Sequence, residues 1–227
     1  YSASQSTCWY VNGNKPGGNG TSWSTAFHHL QDALDVAVAG DEIWVASCKD
    51  LYVPTAKTDP GDDRSATFTL LDDVKIYGGF SGYERFREAR DWQNNETILS
   101  GDLNGDDLPN MVNNGENCYH VISINTGTTS AAILDGFVIK GGNGYGAPQA
   151  AGSGILFDNA GATIKNCQIT ENAESSAIYA YCDNDDVLIE DCAVEGNHGT
   201  GIKGIGDVVV RKCAIRDNIS SYGGGIN

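Results

Sequence analysis

Three segments in the last third of the chain fall in register with one another, and that register restricts the fold more than any other feature. They are Ile164-Lys-Asn-Cys167-Gln-Ile169-Thr-Glu-Asn172, Ile189-Glu-Asp-Cys192-Ala-Val194-Glu-Gly-Asn197 and Val210-Arg-Lys-Cys213-Ala-Ile215-Arg-Asp-Asn218. Each has an aliphatic residue three before a cysteine, another two after it, and an asparagine five after it. The cysteines are 25 and then 21 residues apart. Unequal periods of this size describe a solenoid with variable loops, because so short a unit buries its apolar face only against its neighbours. From each cysteine onward apolar and polar residues alternate, which is the period of a strand. The offset of three before the cysteine breaks that alternation, and a bend at Asn166, Asp191 and Lys212 restores it. Strands that bend, turn and return one layer higher make a parallel β-helix.

Stacking the segments puts Cys167, Cys192 and Cys213 in one inward column, where they act as small hydrophobes. At ~4.8 Å per layer they come near disulfide distance with constrained side-chain geometry, so buried thiols are expected. Asn172, Asn197 and Asn218 form a second column at one corner. There an amide can bond backbone groups that a turn leaves free, and asparagine tolerates the left-handed conformation. Cys8, Cys48, Cys118 and Cys182 lie outside the register. Bridges among them stay open in an oxidising compartment, with no connectivity deducible.

The 227 residues suit one elongated domain, and 29 glycines among many Asn and Asp supply the turns of an all-β chain. No apolar run approaches the ~20 residues that span a bilayer, so no membrane span is expected. A net charge of −16 argues against a nucleic-acid partner and against electrostatic capture of acidic polysaccharide. A chain that opens at Tyr1 reads as a processed form without its own signal peptide.

Cys8–Val11 reads as a short strand, followed by turns to Thr21. Ser24-Thr-Ala-Phe27 opens a helix that Gly40 stops, with Ala26, Phe27, Leu30, Ala33, Leu34 and Ala37 on one face. Such a helix before the first coil would cap the open bottom of the solenoid. The expected organisation is residues 1–42 as strand and capping helix, then the β-helix over 43–227. Its coils are irregular to about 130 and regular over 131–227. Leu134-Asp-Gly-Phe137-Val-Ile139 carries the repeat pattern with Phe137 in the cysteine position. Arg85, Arg87 and Arg90 among Glu84, Glu88 and Asp91 read as a solvated, salt-bridged excursion.

Several of these stretches resemble a known family. Tyr10-Val-Asn, Gly-Gly-Asn-Gly-Thr-Ser-Trp-Ser-Thr-Ala-Phe27, Leu30-Gln-Asp-Ala-Leu34, Gly40-Asp-Glu-Ile-Trp-Val-Ala46 and Tyr52-Val-Pro54 look like the amino-terminal region of bacterial secreted right-handed β-helix proteins. Asp63–Phe68, Ile76-Tyr-Gly-Gly-Phe80, Arg90-Asp-Trp92, Thr97-Ile-Leu-Ser-Gly-Asp102 and Leu134–Ile139 continue the match. The resemblance implies a right-handed, pectin-lyase-like parallel β-helix. The Cys…Asn units and Gly223-Gly-Gly-Ile226 are similar to the repeats of polymorphic outer-membrane proteins. It also implies a secreted or cell-surface location. It implies no particular reaction.

One loop has the pattern of a metal site. In Asp102-Leu-Asn104-Gly-Asp106-Asp107, oxygens at alternate positions can converge on Ca²⁺, as in an EF-hand loop. Asp107 stands where that loop has glycine, and Asn113 where it has its bidentate glutamate, so a one-sided Ca²⁺ loop at Asp102, Asn104, Asp106 and Asp107 is the expectation. Asp183-Asn-Asp-Asp186 is a second acidic run. Asn197-His198-Gly199 with Ile202-Lys203 faintly echoes polygalacturonase motifs, but the spacing fails and the preceding Asn-Thr-Asp element is absent. No catalytic constellation stands out. Asn19 and Asn95 head glycosylation sequons, and so does Asn218, whose corner position makes it the least suited acceptor.

The reading is therefore an extracellular or cell-surface structural or adhesive protein with a carbohydrate or cell-surface partner. A polysaccharide lyase or glycoside hydrolase on the same fold is the alternative. Ile226 aligns with Ile178 and Ile202, so the sequence stops as a new strand begins. Either the chain is cut from a longer solenoid, or the uncapped coil pairs with another copy, where head-to-tail pairing grows a filament with Tyr1 to Thr7 as the reaching segment.

Overall fold

The computed structural model describes residues 6–148, 151–221 and 223–227, without the side chains of Asn184 and Asp185. The chain opens with β1 (Cys8–Val11), a 3₁₀ turn (Trp23–Thr25), α1 (Leu30–Leu34) and β2 (Glu42–Ala46). The first complete coil is β3 (Phe68–Leu70), β4 (Lys75–Phe80) and β5 (Ile98–Ser100). The second is β6 (Ile122–Asn125), β7 (Ile133–Asp135) and β8 (Val138–Lys140); the third is β9 (Ile155–Asp158), β10 (Ala162–Lys165) and β11 (Gln168–Ile169). In the last two coils the first two strands run together through a corner. These are β12 (Ile178–Glu190) with β13 (Ala193–Glu195), and β14 (Ile202–Arg211) with β15 (Ala214–Arg216).

Strands stack in parallel on three faces. The first face is β3-β6-β9 and the opening halves of β12 and β14; the second is β1-β2-β4-β7-β10 and their closing halves; the third is β5-β8-β11-β13-β15. The register follows the sequence repeat: Ile164 pairs with Leu134 and Ile189, and Ile169 with Ile139 and Val194. All six side chains are fully buried. This is an all-β, right-handed parallel β-helix with very little helix.

Between the second and third faces the backbone turns through a left-handed residue in each of the last four coils: Gly136 (φ 86°), Asn166 (50°), Asp191 (53°) and Lys212 (54°). The turn places the next side chain inward. Cys167, Cys192 and Cys213 each donate a thiol hydrogen bond to the carbonyl two residues back, at 3.1, 3.2 and 3.3 Å. No disulfide joins any of the seven cysteines. At the other end of the third face the left-handed residues are Gly141, Glu171, Gly196 and Asp217. The asparagines that follow are therefore not the left-handed residues, contrary to the sequence reading. The residue before each one makes the turn, which aims the amide into the core.

There the amides link coil to coil. Asn172 Nδ2 donates to Asn197 Oδ1 (3.0 Å), and Asn197 Nδ2 donates to Asn218 Oδ1 (2.8 Å). The backbone N–H groups of Asn172 and Asn197 donate to the same two oxygens at 3.0 and 3.2 Å. Asn197 Nδ2 also reaches the carbonyls of Ile169 (2.9 Å) and Glu195 (3.2 Å). One coil below, Gly142 donates its N–H to Asn172 Oδ1 at 3.0 Å. A Cβ on Gly142 would lie 1.9 Å from the Ser153 carbonyl oxygen, so only glycine fits.

The amino-terminal helix is shorter than its apolar pattern predicts. The backbone of Phe27 is committed to pairing, its N–H to the Tyr10 carbonyl and its carbonyl to the N–H of Asn12, both at 2.8 Å, so no helix can begin there. What remains, α1, precedes β2 as a first-face strand precedes β4, and it packs against β3. Leu30, Ala33 and Leu34 are buried against Val11, Ile43 and Val45 at the bottom of the core. Because β1 pairs with β2, the amino-terminal strand is the lowest rung of the second face rather than a separate piece. Of the segment 1–7, residues 1–5 lie outside the described residues; Thr7 donates its N–H to Asp41 Oδ1 at 2.8 Å.

The arginine segment is salt-bridged as read, with Arg85, Glu88 and Asp91 exposed, but it is not solvated throughout. Arg87 pairs with Glu42 at 2.8 Å. Arg90 is buried rather than solvated, 2.7 Å from Asp135, with each side chain only 11% exposed. It also donates to the carbonyls of Gly78 (2.9 Å) and Asp135 (3.1 Å). Asn166 Nδ2 donates to the same carboxylate at 2.7 Å.

Higher on that face the outward charges alternate in sign and pair between coils. Glu190 sits 3.3 Å from Lys165, 2.9 Å from Arg211 and 3.2 Å from Lys212. Hydrogen bonds from Arg211, then Lys212 and Lys165, pull its carboxyl down from 4.5 to about 2. A depressed carboxyl adds stability that is complete above pH 4.5 and lost as the pH falls through about 2. Glu190→Gln should therefore melt below the wild type at pH 6, with the gap closing as the pH approaches 2. A gap unchanged across that range would refute the pairing.

Candidate metal centre

The loop from β5 to β6 begins on the asparagine column. Ile98 pairs with Val138, Val138 with Gln168, and Gln168 with Ala193. Four residues on from these stand Asp102, Gly142, Asn172 and Asn197. Asp102 is thus the column's lowest member, buried at 6% exposure. Its Oδ1 accepts the N–H groups of Gly105 (2.7 Å) and Asp106 (3.2 Å), and its Oδ2 that of Asp107 (3.1 Å). A carboxylate in this place therefore curls the next five residues around itself.

The loop then reverses through left-handed Asn110, Met111 and Asn113 and a bridge between Leu108 and Val112. A 3₁₀ turn, Asn114–Glu116, returns it to the third face, where Cys118 donates its N–H to the Gly101 carbonyl at 2.8 Å. The result brings Asp102, Asp107 and Glu116 together, with one carboxylate oxygen from each within 4.8 Å of the others. Asn117, at 1% exposure, donates Nδ2 to Asp107 Oδ2 at 2.8 Å.

The remaining oxygens are not satisfied. Asp107 Oδ1, Glu116 Oε1 and Asn117 Oδ1 are buried and accept no hydrogen bond within the protein. Burial, then the neighbouring Asp102 and Asp106 carboxylates, raises the Asp107 carboxyl above its ordinary range. The Glu116 carboxyl is raised by burial and by Asp106, Asp102 and Asp107. A cleft of ≈ 640 Å³ opens beside the cluster, lined by Asp102, Asp107, Met111, Lys140, Glu171 and His198. Lys140 is 3.0 Å from Glu171.

Of the four residues expected at a metal loop, Asp102 and Asp107 meet. Asn104 and Asp106 are exposed, and Asp106 is not among the three carboxylates that meet. Glu116 and Asn117 were missed because a twelve-residue frame counted from Asp102 ends at Asn113, and the acid arrives three residues later. Glu116-Asn117 beside the buried Cys118 was the available signal.

Elsewhere, the second acidic run falls at the corner of β12. Asp183 is held there, its N–H donated to Asn159 Oδ1 (3.0 Å) and its Oδ2 accepting the Tyr181 hydroxyl (2.6 Å); the side chains of Asn184 and Asp185 lie outside the described residues. His198 and Lys203 share a cleft of ≈ 570 Å³ whose one carboxylate, among the described residues, is Glu174. Inverting hydrolysis needs two separated carboxylates. Asn19 is exposed; Asn95 is half-buried, its amide donated to the Gly79 carbonyl at 3.3 Å, and its sequon partner Thr97 is buried.

The family described as right handed beta helix region matches residues 110–227, more than half of the chain, and the protein belongs to that family. The match begins inside the acidic loop and takes in all of the regular coils. Comparison with curated proteins and with solved structures finds no match.

Proposed function

We propose that this protein is a non-catalytic β-helix scaffold of the extracellular space or cell surface, structural or adhesive in role. The observation that carries the reading is how the outward charges of the regular coils are used. Lys140 pairs with Glu171, Lys165, Arg211 and Lys212 with Glu190, and Arg216 with Glu195 at 2.6 Å. A catalytic face keeps an acid or base poised near the working pH. In the regular coils the best-held carboxylate, Glu190, is instead fixed in its charged form by the coils on either side, and the raised carboxyls of Asp107 and Glu116 lie in the loop outside these coils. The likeness to secreted β-helix proteins supports the location. Self-association is part of the same reading. Val208, Val210, Cys213 and Ile215 in the highest described coil are only half-buried against the core, and a further coil, whether of a longer chain or of another copy, would cover them.

A panel of neutral and acidic polysaccharides, with and without calcium, tests this. Binding without release of new reducing or unsaturated ends is expected. Turnover that Lys203→Ala or His198→Ala abolishes would instead establish the polysaccharide-cleaving alternative. Light scattering over rising concentration tests the stacking, with growth in mass expected and a constant monomer overturning it.

A further inference from the structure

We propose that Asp102, Asp107 and Glu116, with the side-chain oxygen of Asn117, bind a calcium ion that pins the loop 101–118 against the third face. This goes beyond the scaffold reading and does not depend on it. Three carboxylates within 4.8 Å of one another carry a charge that burial penalises, and no lysine or arginine is paired with them among the described residues. Acidic clusters alone are common. What distinguishes this one is that three buried oxygens on three consecutive parts of the loop, Asp107 Oδ1, Glu116 Oε1 and Asn117 Oδ1, have no donor. A buried acceptor without a donor is costly, and three on the clustered Asp107 and Glu116 and on Asn117, which is bonded to Asp107, call for a group that offers positive charge.

The Asn117 amide cannot turn to relieve this. Its Nδ2 is held by Asp107 Oδ2, and its backbone carbonyl accepts Arg64 Nε at 2.7 Å, so the amide is fixed in orientation beside Asp107. The donor set is oxygen only, which selects a hard cation over zinc or copper. The ligands come from an irregular loop in mixed orientations, and the adjoining cleft admits water to complete the shell. Calcium accepts six to eight oxygens in such geometry, whereas magnesium demands a near-ideal octahedron. Asp102 can serve both roles through Oδ2, which accepts only the Asp107 N–H and keeps a second lone pair, whereas Oδ1 already takes two N–H groups.

The experiment uses the whole chain, stripped with chelator and returned to calcium chloride. Calorimetric titration should show one saturable site. At about a hundredfold excess over Kd, linkage should raise the melting temperature by about 5–10 °C. Asp107→Asn and Glu116→Gln should reverse sign with conditions. In chelator each should melt at or above the wild type, since a repelling charge is gone, and in calcium each should lose most of the shift. A wild type that melts alike in chelator and calcium with no binding heat would overturn the site. So would either variant that keeps the full shift. An equal response to magnesium would overturn the assignment to calcium.

Discussion

Asn197→Ala is expected to destabilise the protein by about 3–5 kcal/mol, read as a fall in the urea midpoint at constant slope and in the melting temperature by about 10 °C or more. Asn197 is fully buried and serves three coils at once. Its oxygen takes the backbone and side-chain N–H groups of Asn172, and its nitrogen serves Ile169, Glu195 and Asn218. Alanine leaves the buried N–H of Asn172 unpaired, at about 1–3 kcal/mol, loses the bonds to Ile169, Glu195 and Asn218, and adds a small void; the Asn172 amide keeps the Ile139 and Thr170 carbonyls. Asn218→Ala is expected to cost less, because Asn218 is only half-buried and its loss leaves Asn197 with its carbonyl partners. Equal losses at the two positions would contradict the coupling between coils.

Arg90→Met is expected to cost about 3–5 kcal/mol, because it strands the largely buried Asp135 carboxylate, on the outer side of β7, with one side-chain amide, that of Asn166, as partner. The double substitution Arg90→Met with Asp135→Leu should recover most of that loss, since the penalty lies in the orphaned charge rather than in the missing attraction. By contrast, breaking the exposed pair between Arg216 and Glu195 should change stability by less than about 1 kcal/mol. Denaturant unfolding of the three variants measures each of these effects. A double variant as unstable as Arg90→Met alone would disprove the account.

The fold was legible where the chain repeats, because a coil that buries cysteine and isoleucine against its neighbours must place them at the same steps. The left-handed turns at Asn166, Asp191 and Lys212 follow from that spacing alone. Lys212 shows that spacing prevailed over residue type, since nothing about lysine favours a positive φ. The lower coils were harder, because their loops are long and their pairing is non-local. An apolar face from Ala26 to Ala37 looks helical until Phe27 pairs with β1, a contact that no local pattern records. Arg90 likewise looked solvated because its partner lies 45 residues away. The metal loop was half legible. Asp102 and Asp107 belong to a local turn, whereas Glu116 arrives only after the chain has doubled back.

The row of amides along the corner also has a sense of direction. In every step the nitrogen of the lower side chain points up to the oxygen of the next, and the lowest oxygen, on Asn172, faces Gly142. Carbonyls at Ile169 and Glu195 hold the central amide in that orientation. The side-chain dipoles therefore add, as peptide dipoles do along an α-helix, and such rows polarise one another. Their negative pole lies toward Asp102 and the acidic loop. The stack is thus an oriented electrical object, and its polarity deepens the negative potential at the end where three carboxylates already meet.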